Sequence, residues 1–160
     1  MACWRVGQLA LWASERGDLP PGTPGAEPVV EVAAVVALAP VTDLVGAGRS
    51  RTWATARCRR CSAGSRPMSP TSTMSRLPGP GFPYDAPVLL VHGTADEKVP
   101  VEQTLGFASA AEEAGDAFEV MILDGVGHFA AIDTDREVWP DVRGRIGELL
   151  DLAAEQRDGG

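Results

Sequence analysis

The chain has 160 residues, of which 44% are hydrophobic, and a formal net charge of -8. This is enough material for one domain with a core, and the acidic balance disfavours nucleic acid or an anionic membrane as a partner. An odd number of cysteines (Cys3, Cys58 and Cys61) disfavours a disulfide framework. No apolar run has the length of a membrane span or of a secretory signal, so we expect a cytoplasmic protein.

The amino-terminal part predicts a helix, a loop and a strand. Residues 7–16 place apolar side chains at helical spacing and predict a short buried helix. Residues 19–28, which hold four prolines and two glycines, predict a loop. Residues 29–39 are almost all aliphatic and predict a strand buried on both faces, as in a parallel sheet. Asp43 follows as an acidic candidate at the sheet edge, although we favour a role in capping the next turn.

Residues 48–82 differ in composition from the rest of the chain, because they are basic, contain no acidic residue and have few aliphatic residues. Such a segment cannot bury enough apolar surface to fold, so we expect it to be disordered. Cys58 and Cys61 have the spacing of half a zinc site, but no second Cys or His pair accompanies them and we expect no metal. One aromatic residue, Trp53, lies among the basic residues, too few for the interleaved aromatic residues of a nucleic-acid interface.

The most informative pattern combines two strands with the polar residue that follows each. Residues 88–91 are aliphatic and end in the glycine turn that carries Asp96, which predicts a strand buried on both faces. Residues 118–123 predict the next strand, and His128 lies in the turn beyond it. Because the carboxyl ends of parallel strands meet at one edge of a sheet, where ligands bind, Asp96 and His128 are expected to lie close together.

Two helices accompany these strands. The first is predicted over residues 101–114, ending at Gly115, with Leu105, Ala108 and Ala111 on its core face. The second begins near Asp135 or Pro140 and precedes a polar tail at residues 155–160. Its apolar positions at helical spacing are Val138, Val142, Ile146, Leu149 and Leu150.

An acid and a histidine on neighbouring loops are two members of a hydrolytic triad, in which the carboxylate holds the imidazole in the tautomer that accepts a proton. Asp96 and His128 are therefore the candidate catalytic residues. The competing interpretation is that Asp96 caps a turn and His128 is an ordinary loop residue. His92, directly before the glycine turn, is interpreted as structural.

These segments resemble the carboxyl-terminal half of an α/β-hydrolase, with residues 87–100 and 125–129 similar to the acid and histidine segments of that family. Residues 7–12 also resemble the run that follows the nucleophile elbow Gly-x-Ser-x-Gly in bacterial esterases of the kynurenine formamidase-like type. The resemblance implies an α/β class, with a partial hydrolase fold of three parallel strands and flanking helices. It also implies hydrolysis of a small ester or amide through an acyl-enzyme, without a cofactor.

The resemblance places the elbow at residues 2–6, where Trp4 stands at the position of the nucleophile and neither flanking glycine is present. As written, the chain is therefore expected to keep the acid and base but to lack the nucleophile. A shift of one residue would make Cys3 the nucleophile instead. The other alternative is a non-catalytic hydrolase-fold binding module or a degenerate gene product.

The unusual composition of residues 48–82 has a separate explanation. When residues 58–75 are back-translated and the resulting DNA is read one base earlier, the encoded amino-acid sequence is acidic and aliphatic. That sequence is similar to the sequences of these esterases. We therefore interpret residues 48–82 as a local frame error within one incomplete domain spanning residues 1–160. In the family the nucleophile-bearing strand lies beside the strand at residues 32–38, so we expect an unpaired edge there and self-association through it.

Overall fold

The computed structural model describes residues 6–42, 84, 86–116 and 118–158, and in these residues a parallel three-stranded sheet packs against helices on both faces. The helices are α1 (Val6–Ser14), α2 (Glu102–Ala114) and α3 (Trp139–Asp158), with short 3₁₀ helices at Arg16–Asp18 and Ala130–Ile132. The strands are β1 (Val35–Leu38), β2 (Val88–Gly93) and β3 (Phe118–Leu123), in the order β1-β2-β3. The predicted α/β class with three parallel strands is confirmed.

The central strand β2 pairs in parallel with both neighbours, and all six of its residues are buried. Val88 and Leu90 belong to one apolar cluster with side chains of α1 and α2, whereas Leu89 and Val91 belong to a second cluster with side chains of α3. Because side chains alternate between the faces of a strand, β2 contributes to both halves of the core. The prediction that this strand is buried on both faces is confirmed.

The first strand is shorter than the sequence predicts. Only Val35–Leu38 pair with β2, while Val29 is fully exposed and Val30 is 78% exposed. The pairing starts where the Val35 N–H donates to the carbonyl of Pro87, just before β2 begins. Pro87 has no N–H to extend the ladder upstream, so β2 does not continue as a partner for residues 29–34. The prediction of one long strand buried on both faces over residues 29–39 is therefore wrong for its first half, and in β1 itself Val35 and Ala37 are buried while Val36 and Leu38 are half-buried.

Helix α2 ends as predicted at Gly115, which adopts a left-handed conformation with φ of 75°. Its predicted apolar face is confirmed for Ala111, which is buried together with Thr104 and Phe107, but it is wrong for Leu105, which is 49% exposed. The larger Phe107 ring and a buried hydrogen bond of Thr104 turn the helix so that Leu105 lies at the margin of the core.

Helix α3 begins next to the predicted Pro140, which occupies the first turn, where a helix needs no proline N–H. Val142 and Leu149 are buried as predicted, but Leu150 is 50% exposed and lies outside the core. The helix continues to Asp158 through the start of the predicted polar tail. In the part of the chain that is described, no helix is both long enough and apolar enough to cross a bilayer.

Several predictions concern residues outside the described ranges. They are those for Cys3, Trp4, Asp43, Cys58, Cys61 and for residues 48–82. Among the described strands, β1 pairs only with β2. The unpaired edge expected at residues 32–38 stays a prediction.

Tyr84, the single tyrosine of the chain, is buried beside Phe107 and gives a test of the core by titration. Burial raises the pKa of Tyr84 above its usual range, and the nearby carboxylates of Glu15 and Asp116 raise this pKa further. In the unfolded chain the Tyr84 phenol loses its proton at about pH 10, whereas in the folded chain the phenol stays protonated at this pH. The folded state then binds more protons, so the free energy of unfolding is expected to fall as the pH rises above ~10.

The measurement is the near-ultraviolet absorbance of tyrosinate against pH, compared with circular dichroism of the same samples. We expect tyrosinate to appear together with the loss of secondary structure. Ionisation near the ordinary pKa in a chain that is still folded would contradict the buried position of Tyr84.

Candidate active site

The two candidate catalytic residues lie at the carboxyl edge of the sheet, on the loops that follow β2 and β3. His128 Nδ1 is 2.7 Å from Asp96 Oδ2, although the residues are 32 positions apart in the chain. The parallel register of β2 and β3 explains this proximity, because it brings the ends of both strands, Gly93 and Leu123, side by side. The structure thus brings together the acid and the histidine that the sequence singles out.

The Asp96 carboxylate is completely shielded from solvent, and both of its oxygens accept hydrogen bonds. Oδ1 accepts the backbone N–H groups of Lys98, at 2.7 Å, and Val99, at 2.8 Å. Oδ2 accepts the Nδ1–H of His128, and the Asp96 side chain is 0% exposed. A buried carboxylate is costly unless donors compensate it, and these three N–H groups do so. They also leave the carboxylate one orientation, with Oδ2 toward the imidazole.

The partner of His128 determines its tautomer. A carboxylate oxygen only accepts hydrogen bonds, so Nδ1 carries the proton that points to Asp96. In the neutral ring Nε2 is then unprotonated and able to accept a proton, which is the tautomer required of a general base. The His128 side chain is 22% exposed, and the Phe129 ring stands edge-on to it with the ring centroids 5.1 Å apart. The His128 ring is therefore oriented by Asp96 through Nδ1, and it is partly open to solvent.

His92 is fully buried and uses both ring nitrogens within the fold. Its Nε2 lies 2.9 Å from the Val99 carbonyl, which can only accept, so the proton is on Nε2. Nδ1 then accepts from the Thr104 hydroxyl at 2.6 Å. Its Nε2 is also 3.4 Å from Asp96 Oδ2, too long for a good direct hydrogen bond. This geometry agrees with the structural interpretation of His92, which ties the Asp96 loop to helix α2.

Two residues at the contact between the loops, Gly93 and Thr94, were not predicted from the sequence to contribute to the site. Gly93 was interpreted only as a turn, yet a Cβ atom there would lie 2.0 Å from the Val126 carbonyl oxygen. Thr94 bridges to Asp124, 30 residues away in the chain. A glycine at a strand end is a weak signal of close backbone approach, whereas no local pattern reveals the partner of Thr94. The described residues contain no cluster of three or more side chains suited to a metal ion.

One family model of known proteins matches the chain. The model of the prolyl oligopeptidase family, Peptidase_S9, matches residues 32–141, more than half of the chain, and the match includes both Asp96 and His128. Among curated proteins, none matches the chain significantly.

Three solved structures share the fold. A truncated carbohydrate esterase from gut microbiota has a TM-score of 0.55 and 19% identity, over 91% of this chain and 56% of its own. A thermophilic esterase from the planctomycete Thermogutta terrifontis, bound to butyrate, has a TM-score of 0.50 and 23% identity, over 93% and 51%. An acetyl ester-xyloside bifunctional hydrolase from Caldicellulosiruptor lactoaceticus has a TM-score of 0.55 and 20% identity, over 96% and 53%. The chain thus spans about half the length of these structures.

Proposed function

The chain belongs to the prolyl oligopeptidase family of hydrolases, and from this premise we propose that Asp96 and His128 are the acid and base of a serine-hydrolase triad. The reaction proposed is hydrolysis of an ester or amide through an acyl-enzyme. The observation that carries the proposal is the 2.7 Å contact between His128 Nδ1 and the shielded carboxylate of Asp96.

In the proposed reaction, Nε2 of His128 takes the proton of the nucleophile hydroxyl while the oxygen attacks the substrate carbonyl. The same nitrogen then gives this proton to the departing alcohol or amine, which leaves an acyl-enzyme. In the second half, His128 takes a proton from water and returns one to the nucleophile as the acid product leaves. Asp96 stabilises the imidazolium that forms in each half and keeps its Nδ1–H in place.

The nucleophile is the part of the triad that this chain does not supply as written. The resemblance puts Trp4 at its position, and Trp4 cannot act as a nucleophile. We therefore propose that the chain carries the acid and base in an inactive state, and Cys3 is the alternative nucleophile. Two of the structures that share the fold are described as esterases, one of them bound to butyrate, and the third as an acetyl ester-xyloside bifunctional hydrolase, so a short acyl ester is the substrate class proposed for a protein with an intact elbow.

A second candidate function follows from Trp4 at the nucleophile position: a non-catalytic binding module with the hydrolase fold, or a degenerate gene product. We also propose self-association through the edge of β1 and a cytoplasmic location. The two functions differ in one respect that can be measured, namely whether His128 limits catalysis once a nucleophile is present.

The test replaces residues 1–6 with the amino-terminal half of an α/β-hydrolase esterase that ends in a Gly-x-Ser-x-Gly elbow. We expect this protein to hydrolyse p-nitrophenyl butyrate, and His128→Ala to lower kcat/KM by about 10⁴-fold or more. Asp133→Asn is the control, because Asp133 is an acid on the same loop whose side chain accepts hydrogen bonds from its near neighbours Asp135 and Arg136. It should leave kcat/KM unchanged.

Two outcomes would contradict the proposal. One is a folded, active protein in which His128→Ala has no effect, since catalysis would then not use this histidine. The other is a protein with native circular dichroism that has no activity, which would favour the binding module.

A further inference from the structure

The loop that carries His128 is held against the loop that carries Asp96, and one side chain lies at the centre of their contact. We propose that Thr94 is the positioning residue that locks these two loops together and so sets the distance between His128 and Asp96. The inference rests on the proposed function, because positioning has a catalytic meaning only if this pair is the acid and base.

Thr94 makes hydrogen bonds to three successive residues at the start of the histidine loop. Its backbone N–H donates to the Leu123 carbonyl at 2.9 Å. Its hydroxyl accepts the N–H of Gly125 at 2.8 Å and donates to Asp124 Oδ1 at 3.0 Å. The hydroxyl thus acts as donor and acceptor at once, which no apolar side chain of similar shape can do.

The contact continues from Thr94 toward His128. The N–H of Ala95 donates to the Val126 carbonyl at 3.1 Å, and Gly93 leaves the space that this carbonyl fills. The histidine loop contains Gly127 and also Gly125 in a left-handed conformation with φ of 67°, and the turn bond before His128, from the Val126 N–H to the Leu123 carbonyl, is long at 3.5 Å. Its shape therefore depends on the bonds from the acid loop.

Thr94 is exposed, which separates its role from that of a core residue. Removing its hydroxyl creates no cavity and leaves the Gly125 N–H accessible to water, so the fold as a whole should persist. What is lost is the bond between the loops. The effect is therefore expected at the contact between His128 and Asp96 rather than in the temperature of unfolding.

The experiment uses NMR of the full chain, which contains only two histidines, so that long-range ¹H–¹⁵N spectra report each ring separately. The readout is the strongly deshielded Nδ1–H of His128 and its exchange with water. In Thr94→Val we expect this proton to exchange about tenfold faster or to vanish, because two hydroxyl bonds are gone. Thr94→Ser keeps the hydroxyl and should restore the signal, and Thr134→Val, the same change at another exposed loop threonine, should have no effect.

The outcomes separate this inference from the function on which it rests. An unchanged His128 signal in Thr94→Val overturns the positioning role and leaves the acid–base pair intact. Loss of the signal in both Thr94→Val and Thr94→Ser also overturns it, because the hydroxyl would not be the group that matters. Absence of the Nδ1–H signal from the unmodified chain instead removes the acid–base pair itself. If Thr94→Val does not fold, Asp124→Ala removes only one of the two hydroxyl bonds and should give a smaller acceleration in the same direction.

Discussion

Gly93→Ala is expected to destabilise the chain by about 3 kcal/mol and to separate His128 from Asp96. The new Cβ would lie 2.0 Å from the oxygen and 2.7 Å from the carbon of the Val126 carbonyl. These are backbone atoms, and they cannot move away without stretching the hydrogen bond from the Ala95 N–H. The whole histidine loop has to shift, and with it the end of β3 that lies beside Gly93.

The matched control is the same substitution at Gly106, in the exposed part of helix α2, where the added methyl meets no atom of the described residues within 4 Å beyond its chain neighbours and the helix backbone. Alanine favours the helix there, so Gly106→Ala should stabilise the chain by about 0.5–1 kcal/mol. Urea unfolding followed by tryptophan fluorescence measures both changes, which are expected to have opposite signs. A Gly93→Ala chain as stable as the unmodified one would mean that the loops are not packed as closely as the structure has them.

The sheet and its carboxyl edge were predictable because the relevant signals are local and strong. Residues 88–91 are aliphatic without interruption, and such a run between turn residues specifies a strand buried on both faces. Once β2 and β3 are known to be parallel neighbours, Asp96 and His128 are expected at the same edge of the sheet, because each follows the carboxyl end of its strand. The acid and the histidine were therefore predicted without knowledge of any contact between them.

What the sequence did not predict depends on partners distant in the chain. Val29 and Val30 have the composition of a strand, but strand formation needs a neighbour, and β2 begins only after Pro87. The rotation of α2 depends on Thr104, a polar residue that is buried because its hydroxyl meets His92. The hydrophobic pattern alone places Thr104 outside the core and Leu105 inside it. Burial of a polar residue by one specific bond cannot be deduced from periodicity.

The second large effect concerns activity, and we expect the chain as written to have no esterase activity. It should hydrolyse p-nitrophenyl acetate no faster than its His128→Ala variant, even though the contact between Asp96 and His128 is made. An oriented base without a nucleophile cannot form an acyl-enzyme. The oxyanion hole is affected too, because one of its donors is the backbone amide of the residue after the nucleophile, within the elbow. We expect a rate at least about 10³-fold below that of the protein with a restored elbow.

Trp4→Ser alone should not rescue this activity. The elbow needs small residues around its nucleophile because the backbone there adopts a strained conformation, and Val6 stands where the family has glycine. The assay compares the unmodified chain with Trp4→Ser, His128→Ala and Cys3→Ala under the same conditions. Turnover well above background that disappears in His128→Ala would show that this chain does hold a nucleophile. Its additional loss in Cys3→Ala would identify that nucleophile as the cysteine, since a thiolate beside a histidine supports the same acyl-enzyme chemistry as a serine.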